Sequence, residues 1–373
     1  MTSSRTATSS GTEGYAARFS GLVDPRHFRD ALGLKLSSIG IGTYLGDPDE
    51  RTDEMYSAAV MEAVRSGVNC IDTAANYRFQ RSERSIGRAL ERLFAGEGYG
   101  RHELVISTKG GYIPFDGQPP RSRQELVEYI ESTFIRPGVC APGDFVQGSH
   151  CMAPGYIEHQ LSQSLGNLGL DAVDIYYLHN PESQLSEVAR DEFGRRLRAA
   201  IETLEAAVAA GRTACYGAAT WNGFRVPSDS PEHISLEQFV AAARDVAGES
   251  HHFRVVQLPV NLAMIESFTH QTQILDGAKC TLLEAAEQLD VTVVASASVL
   301  QSRLTHGLPP LLDEAFPGLR TDAQRAIQFA RSTPGVTTAL VGMRSVDHVR
   351  ENLEIAKHPS APARDFMKLF SEP

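Results

Sequence analysis

Short apolar runs alternate along this chain with longer amphipathic stretches, the pattern of parallel strands joined by crossover helices. The runs fall at 37–42 (SSIGIG), 68–72 (VNCID), 104–108 (LVIST), 173–178 (VDIYYL), 214–219 (ACYGAA), 254–258 (RVVQL), 291–295 (VTVVA) and 337–341 (TTALV). Between them, Phe193, Leu197, Ile201, Leu204 and Val208 recur on one helical face. Similar patterns predict helices at about 52–66, 82–95, 156–168, 235–248, 278–289, 321–332 and 345–356. Eight strands, each followed by a helix, predict an α/β fold, the closed (β/α)8 TIM barrel. An open doubly wound sheet is the alternative, but SSIGIGTYLG lacks the GxGxxG spacing expected at its first turn.

Two connections are too long for plain loops. Residues 110–155 leave the rim after the third strand and carry Tyr112, Phe115, Tyr129, Phe134, Phe145, His150 and Cys151, enough to form a lid or a substrate wall. Residues 296–320 follow the seventh strand, where barrels often bind phosphate. The Ser/Thr-rich start predicts a disordered tail over 1–14, followed by a single barrel domain over 15–373 with its rim insertion at about 110–155.

Composition narrows the function classes. With 42% hydrophobic and 22% charged residues the 373-residue chain reads as globular. A formal charge of −11 without a Lys/Arg cluster argues against nucleic acid and against an anionic membrane, leaving a small molecule as partner. No apolar leader or bilayer-length run is present, so a cytoplasmic location is expected. Five scattered cysteines without CxxC spacing fit reduced thiols. His150 and Cys151 are adjacent but lack companions, so no metal site is expected.

Barrel active sites are built from strand C-terminal ends. Those ends hold Asp72, with Tyr77 just beyond, then Lys109, His179 and Gln257. Singly, each is more readily a cap, a packed ring or a solvated charge; jointly they suit carbonyl reduction. Hydride delivered to carbonyl carbon builds negative charge on oxygen, so a proton donor must stand there. Tyr77 is the candidate donor, Lys109 the cation that would favour its phenolate, Asp72 the partner of Lys109, and His179 the group orienting the carbonyl.

These residues lie in segments that resemble the aldo-keto reductase superfamily over roughly 34–355. The segments are GVNCIDTAANYRFQRSERSIGRAL (67–90), LVISTKGG (104–111), SLGNLGLDAVDIYYLHNPE (164–182), GRTACYGAAT (211–220), VVQLPVN (255–261) and VGMRSVDHVRENL (341–353). The resemblance implies a barrel closed at its bottom by an N-terminal hairpin within 15–36, and NADPH- or NADH-dependent reduction of an aldehyde or ketone, or the reverse. It implies that Asp72, Tyr77, Lys109 and His179 form the catalytic tetrad, and that Tyr44, Tyr77, Tyr112 and His179 face substrate. For the cofactor it implies Gly42, Thr43, Tyr44 and Asp72 near the nicotinamide, with Gln257 and Thr220 at its carboxamide. It further implies Ser298, Leu300, Gln301 and Arg303 at the pyrophosphate, then Gly342, Met343, Arg344, His348, Glu351 and Asn352 toward the adenine, with Arg344 suited to a 2′-phosphate. The chain departs from the family pattern with Ala219-Thr220 in place of Ser-Asn, Ser296 in place of a stacking aromatic, and His348 in place of a basic residue. Two other readings stay open: a nucleotide-binding sensor or scaffold barrel with weak redox activity, and a lyase or aldolase forming a Schiff base on Lys109.

Overall fold

The computed structural model describes residues 4–370. Eight parallel strands close into a barrel: β1 (Ile39–Gly42), β2 (Cys70–Asp72), β3 (Val105–Gly110), β4 (Val173–His179), β5 (Thr213–Ala219), β6 (Phe253–Pro259), β7 (Thr292–Ser296) and β8 (Val336–Gly342), with β8 pairing back onto β1. All eight expected strands are present. Helices Glu50–Arg65, Arg81–Gly96, Pro154–Leu168, Arg190–Ala209, Leu236–Ala247, Leu282–Gln288, Asp322–Ser332 and Val346–Leu353 surround them. The apolar face of Arg190–Ala209 buries Phe193, Leu197, Ile201 and Leu204 as its spacing requires, whereas Val208 is only partly buried. Ile39, Ile41, Ile71, Ile106, Val256 and Val341 belong to the same core.

The barrel floor is covered by a hairpin, Phe28–Ala31 and Leu34–Ser37, which ends one residue beyond the expected 15–36. Leu36 packs there with Cys70, Val105, Ile175 and Leu340.

Residues 4–14 correct the expectation of a disordered tail over 1–14; residues 1–3 lie outside those described. A helix spans Ser9–Arg18, capped by the Thr8 hydroxyl at Gly11 N, 3.0 Å. Its own sequence is a poor amphipath, and tertiary contacts hold it. Tyr15 is fully buried with its hydroxyl donating to Val64 O at 2.6 Å, and Thr8 N donates to His102 O at 3.0 Å.

The helix expected over 278–289 is shorter. Gln273–Leu275 and Ala278–Cys280 form a two-stranded hairpin, and the helix begins only after Thr281, whose hydroxyl and Glu284 cap each other. Asp276 and Gly277 both have positive φ, the Asp-Gly turn chemistry of a tight hairpin.

Candidate active site

β2, β3 and β4 run side by side, so their C-terminal ends put Asp72, Lys109 and His179 on one rim. Lys109 is 1% exposed, and its Nζ donates to Asp72 Oδ2 at 2.5 Å and to Thr73 O at 2.7 Å. The other Asp72 oxygen accepts from Ser107 Oγ at 2.7 Å and from Gln257 Nε2 at 2.9 Å. The carboxylate, itself on β2, is therefore held from β3 and from β6. Burial lowers the Lys109 pKa, and the Asp72 charge opposes that shift.

Tyr77 stands over this pair, its ring centroid 5.0 Å from Lys109 Nζ and 5.8 Å from the His179 ring. Burial first, then the Asp72 charge and Tyr44, push the Tyr77 phenol well above its usual range. Burial thus holds Tyr77 as the phenol, with the Lys109 ammonium, paired to Asp72, beneath its ring. Burial, then Lys109 and His150, hold His179 well below the usual histidine range, which leaves a neutral imidazole.

Tyr77 and His179 open onto a cavity of about 520 Å³, lined also by Gly42, Thr43, Tyr44, Asp72, Tyr112, Thr220, Gln257, Ser298, Gln301 and Gly342. All four expected substrate-side residues, Tyr44, Tyr77, Tyr112 and His179, are in that wall. Two buried hydroxyls in it, Thr220 Oγ1 and Ser298 Oγ, have no partner within the protein. Buried hydroxyls without partners are uncommon, and both lie where a polar ligand can satisfy them.

A family model described as "Aldo/keto reductase family" matches residues 38–226. The chain belongs to this family. NADH-specific methylglyoxal reductase of Escherichia coli (strain K12) is 30% identical over 151 residues, and the match spans 39% of this chain and 39% of that protein. A putative voltage-gated potassium channel subunit beta of Schizosaccharomyces pombe is 23% identical over 368 residues, 93% of this chain and 92% of that one. Among solved structures, an aldo/keto reductase from Klebsiella pneumoniae in complex with NADP and acetate superposes with a TM-score of 0.61 at 20% identity, covering 93% of this chain and 96% of that one. That likeness is one of fold, and the closed barrel agrees with it.

Of the residues expected at the cofactor, Leu300, Arg303, Met343, Arg344, His348, Glu351 and Asn352 lie outside the cavity wall. Met343 is fully buried in the core, so its side chain is closed to any ligand. Arg344 is exposed beside Gly46, while His348 and Glu351 are exposed on the outer helix Val346–Leu353. Gln257 lines the cavity, but its amide nitrogen is engaged by Asp72. Sequence reasoning passed over Asn180 and Trp221, which also line the cavity. Asn180 Nδ2 donates to the Tyr112 hydroxyl at 3.2 Å, and Trp221 is 39% exposed at the mouth. Their place directly after β4 and β5 was the available signal. Among the described residues no helix is long and apolar enough to cross a membrane.

Proposed function

We propose that this aldo/keto reductase reduces an aldehyde or ketone with NADPH or NADH, or runs the reverse oxidation, with Tyr77 as the proton donor and His179 orienting the carbonyl. The observation that carries the reading is the buried Asp72–Lys109 ion pair beneath Tyr77 and His179 at one cavity. The unpartnered Thr220 and Ser298 hydroxyls fit a nicotinamide nucleotide, whose carboxamide and phosphates offer the hydrogen bonds they lack. When bound, that nucleotide supplies the hydride. The protein's own part is the proton: Tyr77 Oη gives it to the carbonyl oxygen as charge builds there, and the neutral His179 ring donates an N–H to the same oxygen. Arg344, exposed at the end of β8, suits a 2′-phosphate, which favours NADPH.

A Schiff base on Lys109 fits poorly, because its nitrogen is buried, ion-paired and absent from the cavity wall. The second reading, a nucleotide-binding barrel that serves another protein, draws on the near full-length similarity to the Schizosaccharomyces pombe protein. NADPH consumption against a panel of aldehydes, ketones and keto-sugars separates the two. Tyr77→Phe is expected to lower turnover by about 10²- to 10⁴-fold while NADPH binding changes little. Turnover close to wild type in that variant would remove Tyr77 from the mechanism.

A further inference from the structure

Part of the rim insertion is a short hairpin, Phe145–Val146 paired with His150–Cys151, which docks on the end of β3. Cys151 N donates to Gly111 O at 2.9 Å, and Tyr112 and His150 form an antiparallel bridge. The His150 side chain is thereby wedged, 1% exposed, between the ends of β3 and β4.

Both ring nitrogens of His150 are engaged. Nε2 lies 2.7 Å from the His179 carbonyl oxygen, and a carbonyl only accepts, so Nε2 carries the proton. Nδ1 lies 2.8 Å from Gln184 Nε2 and accepts from it. Arg196 Nη1 donates to Gln184 Oε1 at 2.7 Å, which fixes the orientation of that amide. One neutral tautomer of His150 satisfies the whole chain of contacts. Its ring also meets Tyr112 edge-on at 5.0 Å, and Tyr112 meets the His179 ring edge-on at 5.2 Å. The approach needs a glycine at 111: a Cβ there would stand 2.8 Å from His150 Nε2 and 2.9 Å from His179 O.

His179 is the last residue of β4 to pair with β5, opposite Ala219; the next residue, Asn180, still donates its N–H to Ala219 O at 2.6 Å and turns the chain with φ of 47°. A buried carbonyl at a strand end needs a hydrogen-bond partner, and His150 Nε2 supplies one to His179 O. We infer that His150 is a positioning residue for the active site: it anchors the His179 carbonyl and, through Tyr112, braces the imidazole, so that the rim insertion sets the catalytic geometry. The kinetic part of this inference rests on the carbonyl-reductase reading above.

The test compares His150→Leu, His150→Gln and Gln184→Leu, using methylglyoxal and 4-nitrobenzaldehyde with NADPH as probes. A glutamine at 150 can donate to the His179 carbonyl and accept from Gln184, whereas leucine can do neither. His150→Leu is expected to lower kcat about tenfold or more with the NADPH Kd nearly unchanged, and His150→Gln to restore most of the loss. Gln184→Leu, which keeps the ring and loosens it, should fall between them, and it carries the test if His150→Leu does not fold. A kcat within twofold of wild type in both leucine variants overturns the inference, as does a His150→Gln variant no better than His150→Leu. If the wild-type protein reduces no carbonyl, the function proposed above fails, and ¹⁵N-histidine NMR then decides this one. The His179 ring signals should shift or double in His150→Leu and return in His150→Gln; His179 signals unchanged across the set overturn it.

Discussion

Asp72 illustrates how one side chain can organise several strands. Its carboxylate takes Lys109 on one oxygen and Ser107 and Gln257 on the other, all buried. Breaking a buried ion pair costs about 3–5 kcal/mol, because the remaining charge is left unpaired in a dry site. Asp72→Asn should therefore lose stability on that order in urea unfolding, and kcat should fall with it, since Lys109 would be driven toward its neutral form. A variant as stable as wild type would show that water already compensates the pair. Asp72, Lys109 and His179 were legible in the sequence because each ends an apolar run, and strand ends share a rim. The Gln257 contact was not, because it crosses the barrel interior between strands whose relative register is set only on closure. His150 was visible as a residue but not as a neighbour of His179, since 29 positions, the helix Pro154–Leu168 among them, separate the two, and only the docking of the rim hairpin brings them together.

At the scale of elements, the rim insertion packs on a cluster separate from the main core, closed on one side by Tyr156 of the helix Pro154–Leu168. Phe134, fully buried, meets Phe145 at 6.0 Å and Tyr156 at 5.1 Å, with Ile113 and Cys151 in the same cluster. Truncating a buried phenylalanine costs about 3–5 kcal/mol, and a segment packed on a separate cluster can open without the barrel. Phe134→Ala is therefore expected to speed proteolysis within 116–122 markedly and to lower kcat as His150 loses its strand, while the barrel's Tm moves little. An unchanged cleavage rate would mean that the insertion is held by the barrel and not by Phe134. The length of the insertion announced that it was structured; its internal architecture was hidden, because an aromatic cluster has no sequence period. The Ser9–Arg18 helix was hidden for a related reason, as its stability comes from where Tyr15 docks and not from its own pattern. The hairpin at 273–280 was signalled by Asp276-Gly277, and the periodic residues that follow masked it.

Over the whole molecule, closing the barrel buries neutral histidines at both ends. His27 sits at the floor, its Nε2 2.9 Å from Gly67 O, and its pKa is lowered to about 4, mainly by burial and then by Arg331. His150, at the rim, is likewise lowered to about 4 by burial. In the unfolded chain a histidine titrates near about 6.5, so between these values the unfolded state binds more protons than the native one. Stability from each is fully present above about pH 6.5 and is lost as pH falls toward about 4. By pH 5 the loss is roughly 2 kcal/mol for each of these two groups, at about 1.4 kcal/mol per tenfold change in proton concentration. Glu83 and Glu182, whose carboxyls burial raises, act in the opposite direction, so wild-type stability alone mixes the contributions. His27→Asn isolates one of them. The variant should be less stable at pH 7.5, because the asparagine must replace a buried, bonded ring, but it no longer has a group that gains a proton on unfolding. The difference in unfolding free energy between wild type and variant should then narrow by roughly 2 kcal/mol between pH 7.5 and pH 5, measured by urea titration at each pH. A difference that stays constant would mean that His27 titrates normally and that the barrel floor admits water.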